Sequence, residues 1–197
     1  MKVLLLIIVS YLLGCFSISI TLSKSLYKKD VRDCGSGNAG ATNMARNFGW
    51  KMGVLTVLSD VAKAALAMIL GKYLMGNTGI CISGAASIIG HCYPVFYGFS
   101  GGKGVSVGAA IAFFISPAVG FAAVAAFLLA ALLSKKVSLG SLCAAVTVFA
   151  VTFLTTDDPP KRILALICML LVVIRHSENI KRLINHTEPD FKFGKAK

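Results

Sequence analysis

Seven apolar runs, at about residues 3–23, 52–75, 79–90, 104–116, 117–134, 138–155 and 161–175, decide most of what this 197-residue chain can become. A bilayer core about 30 Å thick takes roughly 17–25 residues of helix, and several runs reach that length. Lipid offers the backbone no hydrogen-bond partner, so each run must satisfy its own N–H and C=O groups as helix. The runs at 79–90 and 104–116 are short, and read as tilted or half-buried helices capped by the loop between them. Ser116-Pro117 marks the break before the next run. The expected fold class is therefore all-α: a polytopic transmembrane bundle of seven helices, some short or re-entrant, forming one domain over residues 1–197. Five full spans with re-entrant pieces is the competing count. Composition agrees, with 56% hydrophobic and only 14% charged residues.

The charge pattern orients the bundle. Of the 20 Lys and Arg residues, fifteen fall on one side of the runs: Lys24, Lys28, Lys29, Arg32, Arg46, Lys51, Lys103, Lys135, Lys136, Arg175, Lys181, Arg182, Lys192, Lys195 and Lys197. The other side receives four, Lys2, Lys72, Lys161 and Arg162, and Lys63 lies within a run. The positive-inside rule then puts the N-terminus outside and the C-terminus in the cytoplasm, which seven crossings satisfy. The formal charge of +12 is thus mainly topogenic. A nucleic-acid partner is not expected, because the aromatic-interleaved basic stripe of such a binder is missing.

Three polar, glycine-rich clusters separate the runs, and the topology puts all of them on the cytoplasmic face. They are Gly35 to Arg46; Gly90 to Pro94, running on to Gly101-Gly102-Lys103-Gly104; and Arg175 to Arg182. Glycine lets backbone N–H groups approach an anion, while Ser36, Asn38, Thr42 and Asn43 add side-chain donors and Arg46 adds charge. Ser36 has no His/Asp pattern nearby to make it a nucleophile. The second cluster fails the Walker spacing, but a Gly-Gly-Lys-Gly turn entering an apolar helix still suits an anion. In the third, His176, Asn179 and Arg182 fall three apart and share a helix face. Each cluster also has a plainer reading: a capping turn, a snorkelling lysine, or cations complementing a helix dipole. Together they point to a phosphate-handling site at the mouth of a bundle.

Other features carry less. Ser138 and Ser141 open the sixth run, Ser138 as an N-cap. Asp60 and Lys63 form a costly pair inside the second run, functional or structural. Neither metal nor cofactor is expected, since His91, His176 and His186 lack HExxH spacing and the chain has only eight acids. The six cysteines form no CxxC and read as buried hydrophobes. Leu12-Leu13-Gly14-Cys15 imitates a lipobox, but apolar character continues beyond it, so the first run is read as an uncleaved helix. The tail from Thr187 is read as polar and loose.

Taken in order, the clusters resemble the signatures of the acyl-phosphate-dependent glycerol-3-phosphate acyltransferases of bacterial membranes, the PlsY family: SGNxGATNxxR at Ser36 to Arg46, GHxxPxFxxFxGGKG at Gly90 to Gly104, and RHxxNIxRL at Arg175 to Leu183. The resemblance implies transfer of a fatty acyl group from acyl phosphate to the 1-hydroxyl of glycerol 3-phosphate, giving lysophosphatidic acid and phosphate, in the inner membrane of a bacterial cell with the active site on the cytoplasmic side. It implies a peripheral phosphate acyltransferase as supplier of acyl phosphate. Carried over by position, Ser36, Arg46, Lys103, Ser141, His176 and Asn179 would hold glycerol 3-phosphate, and Thr42, Asn43, Gly102 and Lys103 the acyl phosphate. The resulting expectation is a catalytic set of Ser36, Arg46, Lys103, His176 and Asn179, with Asn38, Thr42, Asn43, Gly102 and Ser141 binding substrate. No protein nucleophile is implied: a mixed anhydride is already activated, so positioning and charge stabilisation suffice.

The chain departs from the family pattern at Ala39, often Pro; at Lys135-Lys136, often a basic-Tyr pair; and at His186, where Gly often precedes Thr-Glu. Two rival classes fare worse. An acyl-CoA acyltransferase would place Asp five residues after a His, whereas His91, His176 and His186 are followed at that distance by Phe96, Lys181 and Phe191. An organic-phosphate transporter or channel would need basic clusters reaching both faces or the midplane.

Overall fold

The computed structural model describes residues 1–191; Lys192, Lys195 and Lys197 of the charge count, and the end of the tail, lie outside the described residues. Among those described, the fold is all-helical: α1 (Lys2–Cys15), α2 (Ile18–Tyr27), α3 (Ala41–Phe48), α4 (Trp50–Cys92), α5 (Val105–Ile115), α6 (Pro117–Ser134), α7 (Val137–Thr155), α8 (Pro159–Arg175) and α9 (Ser177–Ile184).

The first predicted run is broken in two. At Phe16 the backbone leaves the helical region (φ −63°, ψ 125°), and the carbonyl so released accepts a hydrogen bond from the buried Lys63 ammonium at 2.6 Å. The second and third runs form the single element α4, with non-helical backbone at Met75 and Gly76. The chain doubles back there: a Cβ on Gly79 would sit 1.9 Å from the Gly71 carbonyl oxygen, so the two arms touch backbone to backbone. Residues eight apart in a continuous helix would be about 12 Å apart. The next four runs are found nearly where the sequence puts them. Pro117 opens α6 with Ser116 as its side-chain cap, and Pro159 opens α8 capped by Asp158.

By length and composition, four stretches can cross a membrane: Lys2–Tyr27 and Trp50–Tyr97, each counted through its bend, and α6 and α7. A fifth is α8 with α9, bent by 60°. Outward faces carry Phe121, Leu132, Leu133 and Leu154, all exposed, as a lipid-facing surface requires. Inside, Ala64, Met68, Ile88, Ile111, Val119 and Leu164 form the main core. Small residues let backbones meet, as where Gly14 lies against the Ser87 carbonyl and Gly90 against that of Tyr11.

Candidate active site

The first cluster is a loop closed by one side chain. Asn43, in the first turn of α3, is only 2% exposed. Its Nδ2 donates to the carbonyls of Val31 (2.9 Å), Cys34 (2.9 Å) and Asn38 (3.0 Å), and its Oδ1 accepts from the Ser36 N–H (3.0 Å). Gly35 must be glycine here, with φ at +56° and a Cβ position 2.4 Å from Asn43 Oδ1. Further down the loop, the Asp30 carboxylate receives Arg32 and Lys24. The Arg32 hydrogen bond dominates, and Asp30 is held well below the usual carboxylate pKa. Arg32 also donates to the Tyr97 carbonyl (2.7 Å), tying the first loop to the second.

The second loop folds back on the end of α4, with Gly101 N–H donating to the Cys92 carbonyl (3.3 Å) and Gly102 N–H to that of His91 (3.1 Å). Residues from the other two clusters grip it. Arg175 donates from Nε to the Gly102 carbonyl (3.2 Å) and from a terminal nitrogen to that of Gly101 (3.1 Å), and Asn38 donates to Gly101 as well (3.3 Å). Gly102 has no room for a side chain, since a Cβ would lie 2.1 Å from His91 Nε2. Beneath, Asp60 Oδ1 lies 3.0 Å from Lys63 Nζ and 3.3 Å from His91 Nδ1. The embedded pair of the second run is therefore a triad supporting this loop.

The third cluster sits at the bend between α8 and α9. His176 is buried, and its Nδ1 lies 2.7 Å from the Val172 carbonyl, so that nitrogen carries the proton and Nε2 is the acceptor. On α9, Asn179 Oδ1 accepts from Lys103 Nζ, and its Nδ2 donates to Glu188 Oε1 at 2.7 Å. Ser138 donates to the same carboxylate oxygen (2.7 Å), and Arg182 Nε donates to Oε2 (2.7 Å).

All three clusters line one cavity of about 500 Å³. Of the residues expected from the sequence, Ser36, Asn38, Thr42, Asn43, Arg46, Lys103, Ser141, His176 and Asn179 are on its wall. Gly102 is not, and instead packs against His91. Sequence reasoning missed Glu188 and the loop-bracing role of Arg175, and left His91 and Asp60 undecided. The signal for Glu188 was the Thr-Glu that often closes the family's third motif, kept here as Thr187-Glu188 after His186, to which no role was attached. The tail read as loose is ordered through Phe191 because that acid anchors it; Phe191 N–H also donates to the Lys135 carbonyl (2.8 Å).

The wall is electropositive. Arg46, Lys103 and Arg182 face it, against the carboxylates of Glu188 and Asp60, and Asp60 is already answered by Lys63. Burial, then the nearby Arg182, Arg175 and Arg46 charges, lower the Lys103 pKa to about 8, with Glu188 opposing them. Burial would raise the Glu188 pKa, but the hydrogen bonds from Ser138, Arg182 and Asn179 outweigh it and hold the group below its ordinary value. Among the described residues no group of three or more His, Cys, Asp or Glu side chains gathers as a metal site. A second cavity of about 240 Å³ shares Val57, Val105, Ser106, Phe127 and Ser141 with the first, and continues between Ala109, Ala144, Val148, Cys168 and Val172. The composite site is a polar, cationic chamber opening into an apolar slot.

Comparisons with known proteins match nearly the whole chain and its fold. Residues 4–186 match the family described as glycerol-3-phosphate acyltransferase. A glycerol-3-phosphate acyltransferase of Thermoanaerobacter pseudethanolicus is 41% identical over 181 residues, 92% of this chain and 91% of that one. Another, from Macrococcus caseolyticus, is 39% identical over 196 residues, 99% of this chain and 100% of its own. The crystal structure of PlsY (YgiH), an integral membrane glycerol 3-phosphate acyltransferase, superposes with a TM-score of 0.92 in its glycerol 3-phosphate form, at 35% identity over 98% of this chain and 96% of that one. Its lysophosphatidic acid form gives 0.89 at 34% identity, over 98% and 97%.

Proposed function

This chain belongs to the glycerol-3-phosphate acyltransferase family, and from that premise we propose how its cavity carries out the reaction. The chain is a membrane enzyme that acylates glycerol 3-phosphate in phospholipid synthesis. Its donor is acyl phosphate, supplied by a peripheral phosphate acyltransferase. The single observation that carries the reading is the joining of the cationic chamber to the apolar slot, since that shape fits an anionic head and an acyl chain together. The phosphate of glycerol 3-phosphate lies among Ser36, Arg46, Lys103, Ser141, His176 and Asn179, and the acyl tail fills the slot past Phe127. Thr42 and the first loop face the donor phosphate, which Lys103 also reaches; Asn38, Asn43 and Gly102 act mainly by holding the loops in shape.

The 1-hydroxyl oxygen attacks the acyl carbonyl carbon. The bond from that carbon to the phosphate oxygen breaks, and phosphate leaves with the electron pair and takes up the hydroxyl proton. Lys103 stabilises charge building on the leaving phosphate. His176 supports the substrate through its Nε2 acceptor, with no covalent part. Seven crossings follow if the two arms of α4 and the short α5 are counted as separate spans. The N-terminus is then outside, and the chamber opens on the cytoplasmic face of the inner membrane.

The test is phosphate release and lysophosphatidic acid formation by purified protein in lipid, given palmitoyl phosphate and glycerol 3-phosphate, with palmitoyl-CoA as the parallel donor. Product from acyl phosphate alone is expected. No product from either donor, from folded protein that binds glycerol 3-phosphate, would favour an organic-phosphate transporter or channel. Labelling that placed Arg46 outside the cell would overturn the orientation.

A further inference from the structure

An acid on the wall of an anion site needs a reason. Glu188 is buried, at 7% exposure, and its two carboxylate oxygens accept from Ser138, Asn179 and Arg182. Its place is held from both sides. Thr187 and Glu188 N–H groups both donate to the Arg182 carbonyl (2.8 and 3.1 Å), after a reversal at His186 with φ at +56°. Lys136 Nζ donates to the Glu188 carbonyl and pairs with Asp190 at 3.0 Å, fastening the strap to the corner between α6 and α7.

The chemistry of the partners removes any choice at Asn179. An ammonium can only donate and an ionised carboxylate can only accept. An amide lying between Lys103 and Glu188 must therefore turn its oxygen to the lysine and its nitrogen to the acid. Without the acid, the amide is free to rotate by a half-turn and present its NH₂ to the ammonium, which then loses its acceptor. Arg182 would lose its anchor at Nε and move closer to Lys103, with like charges facing across the chamber.

We propose that Glu188 is a positioning residue for the acyl transfer: it fixes the Asn179 amide, and through it the Lys103 ammonium, at the reacting phosphate. This rests on the reading that Lys103 faces substrate phosphate. Glu188 itself touches no reacting atom. Misplacing a catalytic group by about 1 Å costs on the order of 10²-fold in rate, and a four-carbon stem gives Lys103 ample room for that.

The test uses the full chain in lipid, with acyl phosphate and glycerol 3-phosphate, and compares Glu188→Ala, Glu188→Gln, Asn179→Ala and the double variant Glu188→Ala/Asn179→Ala. Glu188→Ala should lower kcat by about 30-fold, more than it raises KM. Glu188→Gln keeps an oxygen for Asn179 and Ser138 but turns its NH₂ toward the Arg182 Nε donor, so it should recover only part of the loss, to within about tenfold of the parent. The double variant should be no slower than the slower single, since both break one chain of contacts. Parent-like kcat in Glu188→Ala, or losses that multiply in the double variant, would overturn the proposal. If Glu188→Ala does not fold, Glu188→Asp decides: it keeps the charge but draws the oxygens back by one methylene, so a fall in kcat supports the proposal and an unchanged kcat defeats it. Lys103→Ala, run alongside, separates the two claims. Full activity in Lys103→Ala defeats the underlying reading, whereas an inactive Lys103→Ala beside a normal Glu188→Ala defeats the inference alone.

Discussion

Two clusters of buried charge share the wall of one cavity, and they are built in opposite ways. Asp60, Lys63 and His91 come from the facing arms of α4 and satisfy one another, with the Phe16 carbonyl completing the lysine. Lys103, on the loop before α5, comes from a segment far in sequence from Asn179, Arg182 and Glu188, which lie on α9 and just after it; with Arg46 they leave more positive than negative charge facing the chamber. The first cluster is closed: Lys63 and His91 both face the Asp60 carboxylate, and Lys63 also donates to the Phe16 carbonyl. The second is open and electrostatically incomplete without a further anion. A closed cluster should matter for folding, and an open one for turnover, because only the open one has interactions left for the transition state.

The sharpest way to break that comparison is to remove the central cation of the open cluster. Lys103→Ala should lower kcat/KM by about 10³-fold, the scale of losing one preorganised charge at a reacting oxyanion. Its thermal midpoint should stay within a few degrees of the parent's, because removing the ammonium also relieves its burial and its repulsion by Arg182, Arg175 and Arg46. Initial rates and a melting curve on the same preparation suffice. A variant that melts early but turns over normally would reverse the assignment of the two clusters.

Asp60→Asn is the converse. It leaves Lys63 charged and buried without its carboxylate, at a cost of about 3 kcal/mol in stability. The thermal midpoint in detergent should drop by about 10 °C. Turnover per folded molecule should slow by no more than about threefold. If the variant melts like the parent yet loses turnover, the triad belongs to the reaction and the distinction fails.

Gly102 joins the two clusters, backing on His91 of the closed one and preceding Lys103 of the open one. Gly102→Ala would place a methyl 2.1 Å from His91 Nε2, so the ring or the loop must move. We expect kcat to fall by about 10²-fold as Lys103 is displaced, with a smaller loss of stability. Removing the obstacle with His91→Ala in the same chain should restore part of the rate. No restoration would mean that the loop is not set by its contact with the ring.

What the sequence made legible follows the same division. Apolar run length placed α6, α7 and α8 to within two residues, since lipid leaves helix as the only choice. The chamber's donors were legible because three glycine-rich polar clusters fell on one predicted face, although each taken alone has a plainer use. The hairpin at Met75 and Gly76 was legible as the gap between the runs at 52–75 and 79–90, whereas the break at Phe16 was not, because it is decided by a partner distant in sequence, the Lys63 ammonium. The short helix α3 was passed over because, at eight residues, its apolar face of Ala41, Met44, Ala45 and Phe48 is far shorter than a membrane run and lies inside a polar, glycine-rich cluster. Glu188 was obscured by its polar neighbours, although its partners Asn179 and Arg182 were already on one face.

The mildest prediction separates the free chamber from the occupied one. Lys103 has its pKa lowered to about 8, by burial first and then by the neighbouring arginines, so the charged form is complete only below that pH. As pH rises through about 8 the ammonium is lost, and kcat/KM for glycerol 3-phosphate should fall towards one tenth per unit above it. The acidic side should show no limb from Glu188, which is held below the usual carboxylate range and stays ionised throughout. Once a phosphate sits beside Lys103, opposite charge favours the ammonium, so the limb in kcat should move to higher pH than the limb in kcat/KM. Lys103→Arg keeps a cation at every accessible pH and should erase the alkaline limb while running slower, since guanidinium geometry differs. An alkaline limb unchanged in Lys103→Arg would assign it to another group and leave the electrostatics of the chamber without their central lysine.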